Sequence, residues 1–174
     1  MRTETSSTSI SVSLTVAASV RCMQVENGPR SASWNMNNKI TKTDAQWRRQ
    51  LTAEQFRVLR EHGTERAFSG AFARSHDPGT YQCAGCGLDL FGADAKFESG
   101  TGWPSFWKPI ADGHVGSTED RGFFMTRTEV HCARCDGHLG HVFDDGPAPT
   151  GKRFCINSAS LAFEKPRCSP IPAA

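Results

Sequence analysis

Two Cys-x-x-C pairs, Cys83-Ala84-Gly85-Cys86 and Cys132-Ala133-Arg134-Cys135, limit how this chain can fold more than any other feature. Each pair sets two sulfurs on one tight turn, with Gly87 and Gly137 easing the chain out of it. Two such turns together make a four-sulfur tetrahedron of the kind that binds Zn2+. Four thiolates fill the coordination sphere and leave no position for water, so a metal on Cys83, Cys86, Cys132 and Cys135 is expected to be structural. The long stretch between the pairs means that the metal ties together strands far apart in sequence and clamps a whole domain. The alternative is that one pair is a redox dithiol. Redox pairs sit at a helix N-terminus after a strand, where the dipole lowers the thiol pKa, whereas glycine-rich turns surround both pairs here.

Three further cysteines, Cys22, Cys155 and Cys168, stand alone, and the total of seven is odd. An odd count without a convincing signal peptide speaks for metal ligation and reactive thiols over a disulfide framework. A length of 174 residues suits one ordinary domain. The net charge of +2 is too small to give the basic field of a non-specific nucleic-acid binder. No apolar run approaches the roughly 18 to 20 residues that cross a bilayer, so the chain is expected to be soluble, with neither nucleic acid nor membrane as a partner, and a monomer.

Residues 1–38 are rich in Ser, Thr, Asn, Gly and Pro without periodicity and read as a disordered or leader-like tail. The mildly apolar run Ile10 to Val20 is interrupted by Ser11, Ser13 and Thr15, which makes a poor secretory signal. A transit-like leader, or a true start at Met23, fits better. The expected location is the cytoplasm, or an organelle if that segment is a transit peptide. The folded domain is expected over 39–166, followed by a flexible tail, 167–174.

Within the domain, Thr43-Asp44-Ala45-Gln46 and Thr52-Ala53-Glu54-Gln55 match the capping box, in which a hydroxyl and an amide reciprocally satisfy free helix-start donors. Two short helices are predicted, the second ending at Gly63 as the left-handed residue. Beyond Arg74, short runs bounded by Gly, Pro, Asp or Asn predict strands over Thr80 to Cys83, Leu88 to Phe91, Phe123 to Arg127, Glu129 to Cys132, Leu139 to Phe143, Arg153 to Ser158 and Ser160 to Phe163. The pattern favours a mainly β, antiparallel core over βαβ units.

In the run Arg153-Phe154-Cys155-Ile156-Asn157, period-two alternation puts Arg153, Cys155 and Asn157 on one face and Phe154 and Ile156 in the core. A free thiol with a pKa of about 8.5 is only a few per cent ionised at neutral pH, so a nearby cation, Arg153, is the simplest way to make Cys155 a nucleophile. A buried structural cysteine is the plainer reading. His138 and His141, shortly before this strand, offer proton transfer at physiological pH, against the plainer reading of surface or structural histidines. Trp103, in Gly102-Trp103-Pro104-Ser105-Phe106, can floor a small apolar pocket, although buried aromatics are usually core.

Together, Gly102 to Phe106, the run Cys132 to Gly146 (CARCDGHLGHVFDDG) and the run Arg153 to Leu161 (RFCINSASL) resemble the B-type methionine-R-sulfoxide reductases. The resemblance spans roughly Thr43 to Pro166. It implies two antiparallel sheets with short N-terminal helices, and a zinc held by four cysteines on the side away from the active site. It also implies Cys155 as nucleophile and Trp103 as the holder of the substrate methyl group, with Phe143 as a second substrate-facing aromatic. His138 and His141 would orient or protonate the sulfoxide oxygen, while Asp145, Arg153 and Asn157 shape the polar surroundings. Oxidised proteins or peptides would be the substrates. Many members carry a resolving cysteine where this chain has Thr101. Reduction of the oxidised Cys155 then falls to an external thiol such as thioredoxin, glutaredoxin or glutathione, or to Cys168 or Cys22 on a tail. The rival from another class is a zinc-stapled module that binds a ligand without turning it over, which would have no need of Cys155.

Overall fold

The computed structural model describes residues 39–121 and 126–166. Cys22, Cys168, the two tails and the start of the strand expected at Phe123 lie outside the described residues.

Helix α1, Asp44–Gln50, and helix α2, Ala53–Glu61, each begin with a complete capping box on Thr43 and Thr52, as their sequences predict. In the helices, Trp47, Phe56, Val58 and Leu59 are turned inward and fully buried. The C-cap of α2 is a correction: His62, not Gly63, takes the left-handed conformation at φ 54. Gly63 instead donates its N–H to the Arg57 carbonyl, in a space where a Cβ would press on the Arg57 side chain and carbonyl.

The strands are β1 Thr80–Cys83, β2 Asp89–Gly92, β3 Lys96–Phe97, β4 Ser105–Phe106, β5 Val115–Arg121, β6 Thr126–Cys132, β7 His138–Phe143, β8 Arg153–Ile156 and β9 Leu161–Glu164. They form two sheets, β2-β1-β9 and β3-β4-β8-β7-β6-β5, with every pairing antiparallel. Tyr81 from the small sheet meets Phe106 of the large sheet edge-on at 5.0 Å, and Phe91 stacks on Phe106 at 4.4 Å. All three rings are fully buried. Each contributes about 1.5–3 kcal/mol of hydrophobic burial, so this aromatic knot fixes how the sheets face each other.

The strand bounds differ from expectation in instructive places. Among the described residues, the strands expected to end at Arg127 and to begin at Glu129 are continuous from Thr126 to Cys132, because β6 is the ladder on which both β5 and β7 pair. Strand β5, with the polar sequence VGSTEDR, has no apolar alternation to betray it; pairing with β6 alone makes it a strand. The run expected to continue to Ser158 stops at Ile156. There the Glu65 carboxylate accepts the N–H groups of Ser158 and Ala159, at 2.7 and 2.9 Å, and the chain turns into a 3-10 helix, Ser158–Ser160.

Candidate active site and metal centre

The four cysteines of the two pairs converge. Their sulfurs lie within 4.8 Å of one another, with Cys83 to Cys135 at 3.7 Å and Cys86 to Cys132 at 3.5 Å. A tetrahedron with metal–sulfur bonds of about 2.3 Å has edges of about 3.8 Å, so the cluster fits a tetrahedral ion. The thiols also fit one chemically. Bunched together, they push Cys83 and Cys132 up, because each donates a hydrogen bond to a neighbouring sulfur, and pull Cys86 and Cys135 down, because each accepts one. Only a cation at the centre lets all four ionise. The helices close the site: Arg60 donates to the Cys135 carbonyl, Gln50 donates to the Gly85 carbonyl, and Leu59 packs where Gly137 leaves no room for a Cβ.

The reactive centre lies on the large sheet, three residues up β6 from Cys132, or about 10 Å along the strand. Strand register aligns one transverse row on a single face: Ser105 pairs with Cys155, Cys155 with His141, His141 with Glu129, and Glu129 with Thr118. Paired residues share a face, so Cys155 stands between a hydroxyl and an imidazole. Gly140 allows this, since a Cβ there would collide with the Cys155 carbonyl.

Hydroxyls form a chain that ends on the sulfur. Ser105 Oγ is 2.8 Å from Ser99 Oγ, which is 2.8 Å from Thr101 Oγ1, and Thr101 Oγ1 is 3.9 Å from Cys155 Sγ. Arg153 also faces Cys155, yet its guanidinium is held by Asp145 in two 2.8 Å hydrogen bonds and lies over the Phe143 ring at 4.4 Å. Arg153 pulls the Cys155 thiol down, as expected of a nearby cation, but burial outweighs it. Burial raises the Cys155 thiol above its ordinary value, and the Thr101 hydroxyl and the Arg153 charge recover only part of that. Asp145 opposes them.

His138 and His141 are brought together, their rings meeting edge-on at 5.5 Å. His138 is buried, and its Nδ1 lies 2.8 Å from Glu129 Oε1. Burial pushes the Glu129 carboxyl up, but the hydrogen bond and charge of His138, with His62 in support, outweigh it and hold Glu129 below its usual range. Glu129 therefore orients the imidazole as a carboxylate. The sequence shows it only as one polar residue among several in the strand TRTEVHC.

Trp103 is half-buried, and its indole N–H donates to the Glu65 carbonyl at 3.2 Å. Beside it, Phe68 is 60% exposed, an unusual state for so large an apolar side chain. Phe68 is held at φ 66, its N–H on the Gly102 carbonyl, and Gly102 at φ 90 leaves its ring room that a Cβ would take. A hollow of about 40 Å³ opens between Phe68 and Trp103, enough for a methyl-sized group. It adjoins a wider cleft of about 390 Å³ between Phe97 to Thr101 and Asp145 to Pro147, with Arg153 in its wall. Asn157 is not in that wall. It is buried, giving its amide N–H to the Leu139 carbonyl and accepting the Glu65 N–H. Glu65, which no sequence signal marks, thus ties Trp103 to the turn that follows Cys155.

A β-scaffold with four cysteines gathered where they could hold a metal, and a lone thiol set against imidazole and hydroxyls on the large sheet, fits the class of thiol-dependent oxidoreductases. Residues 51–165 match the SelR domain family. The peptide methionine sulfoxide reductase MsrB of Leptospira interrogans is 56% identical over 130 residues, covering 75% of this chain and 99% of that protein. Those of Bradyrhizobium diazoefficiens, 54% over 136 residues, and Methanosarcina mazei, 56% over 128 residues, cover 78% and 74% of this chain, and 98% and 91% of their own lengths. The chain belongs to the SelR, or MsrB, family.

Proposed function

We propose that this chain reduces the R epimer of methionine sulfoxide in oxidised proteins and peptides, and so repairs them, with Cys155 as the nucleophile. The observation that carries the reading is the register that sets Cys155 opposite His141 on one face, with Thr101, 3.9 Å from the Cys155 sulfur, lining the cleft that adjoins the hollow between Phe68 and Trp103. The substrate methyl group fills that hollow, and its sulfur faces Cys155. As the Cys155 thiolate attacks, a proton reaches the sulfoxide oxygen from the His138 and His141 pair. The oxygen ends as the hydroxyl of a sulfenic acid on Cys155, and methionine leaves: its sulfur gains the two electrons that the cysteine sulfur gives up. Arg153 and Asp145 shape the wall of the cleft, Phe143 supports the Arg153 guanidinium from beneath, and Asn157 holds the Cys155 strand from behind.

The four-cysteine centre is read as zinc, holding the domain together and taking no part in the reaction. Thr101 stands where many relatives by resemblance carry a resolving cysteine, so an external thiol, whether thioredoxin, glutaredoxin or glutathione, attacks the sulfenic acid directly. A mass spectrum after one turnover tests this: a sulfenic acid or a mixed disulfide on Cys155 is expected, whereas a Cys155 to Cys168 or Cys22 to Cys155 link refutes it. The activity itself is tested with separated R and S epimers of a methionine sulfoxide peptide and dithiothreitol. Wild type is expected to consume the R epimer only and Cys155→Ser neither; activity in Cys155→Ser, or on the S epimer, refutes the reading.

A further inference from the structure

A second group of metal-ligating side chains meets at the end of the reactive row. One oxygen of Glu129, Oε1, lies 2.8 Å from His138 Nδ1 and 3.0 Å from His62 Nδ1. Ligand atoms of all three residues lie within 4.8 Å of one another. They come from three elements: the left-handed cap of α2, the middle of β6 and the first residue of β7. Their side chains grade from open to closed, 63% exposed at His62, 18% at Glu129 and 2% at His138. The group is a well with a buried floor and an open mouth.

A first-row divalent ion bonds imidazole nitrogen and carboxylate oxygen at about 2.0–2.2 Å, so two ligands stand about 3 Å apart at a right angle and about 3.4 Å apart at the tetrahedral angle. Glu129 Oε1, hydrogen-bonded to the two nitrogens at 2.8 and 3.0 Å, has to draw back by only tenths of an ångström to share an ion with them. Two imidazoles and one carboxylate with open positions toward solvent suit a zinc-class ion and not the all-oxygen chemistry of calcium or magnesium. No sulfur takes part, which separates this group from the four-cysteine centre.

We propose that His62, Glu129 and His138 form a second, exchangeable site for a divalent transition-metal ion of the zinc class, and that its occupancy arrests the reductase. An ion on Nδ1 pins the His138 ring and takes the nitrogen through which Glu129 orients it. The arrest rests on the reading of His138 as part of the proton-handling pair; the binding does not.

The test uses the full chain with its four-cysteine metal in place. In a background carrying Cys22→Ser, Cys155→Ser and Cys168→Ser, which removes the three thiols outside the four-cysteine group, zinc chloride is titrated by calorimetry and cobalt(II) by visible absorption. A further equivalent is expected to bind, with a cobalt spectrum free of thiolate charge-transfer bands, and to bind about tenfold or more weakly in His62→Ala. In single-turnover assays of pre-reduced, Cys155-containing protein without added dithiol, which would chelate the ion, zinc is expected to slow methionine formation. His62→Ala is expected to keep the basal rate and to need about tenfold more zinc for the same inhibition. Absence of the further equivalent overturns the site, as does equal affinity in His62→Ala and Glu129→Gln, which would leave a plain hydrogen-bonded cluster. Binding without inhibition keeps the site, overturns the arrest, and puts the role of His138 in question without touching that of Cys155.

Discussion

The same side chain serves opposite ends at two places in this fold. In the cage, Cys83, Cys86, Cys132 and Cys135 crowd within 4.8 Å of one another, and their proximity is useful only if a cation neutralises them. At the other place Cys155 stands alone and half-buried, and burial holds it in the neutral form. Low dielectric and mutual repulsion leave the four sulfurs of the cage suited to a shared cation. The lone thiol is kept protonated by low dielectric, against the partial pull of the Thr101 hydroxyl and the Arg153 guanidinium that already face it. A cysteine's fate is thus decided by what its sulfur faces, and hardly by its own chemistry.

The contrast can be broken most severely at the cage. Structural zinc contributes about 10–16 kcal/mol of binding, which matches or exceeds a whole domain's stability of about 5–15 kcal/mol. Chelation, or Cys132→Ser, is therefore expected to unfold the domain, seen as loss of the cooperative melt. Cys155→Ser is expected to do the converse, leaving melt and metal content unchanged while turnover falls by roughly 10⁴-fold or more in a peptide assay; a fall in melting temperature comparable to that of Cys132→Ser would erase the distinction.

Within the reactive region, Glu65→Gln probes the brace between Trp103 and the turn that follows Cys155. It sets an amide donor against one of the buried Ser158 and Ala159 N–H groups, so a loss of about 1.5–3 kcal/mol is expected in urea denaturation. A higher KM is expected with it, because Trp103 rests on the Glu65 carbonyl.

The smallest effect belongs to Thr101→Val. Removing a hydrogen bond of about 0.5–1.5 kcal/mol raises the Cys155 thiol further and lowers its thiolate at neutral pH, slowing reaction by about two- to tenfold. Alkylation by iodoacetamide across pH reads this directly. Wild type is expected to titrate above a free cysteine, because the folded protein favours the protonated thiol, and Thr101→Val higher still. A wild-type midpoint below that of free cysteine would show that Arg153 and Thr101 outweigh burial.

Much of this was legible in residue spacing. The two Cys-x-x-C turns foretold the cage, the capping boxes foretold both helices, and alternation in Arg153-Phe154-Cys155-Ile156 buried Ile156 and left Cys155 on the polar face. These succeed because each depends on neighbours a few residues apart in the chain. Glu65, Glu129, Phe68 and strand β5 were not legible, since each takes its role from a partner far along the sequence. Glu65 is an ordinary loop acid until it meets Ser158 and Ala159, and Glu129 a solvent-face acid until register brings His138 to it.

By itself the sequence determined which atoms are available: four sulfurs for a metal, one spare thiol, two imidazoles and an indole in a proline-stiffened turn. Only the tertiary structure decided how acidic Cys155 is, which carboxylate aims His138, and that Asn157 braces the strand from inside without lining the cleft. The reason is that desolvation, screening and hydrogen-bond geometry depend on distances through space, and those are set when the strands pair and the sheets pack.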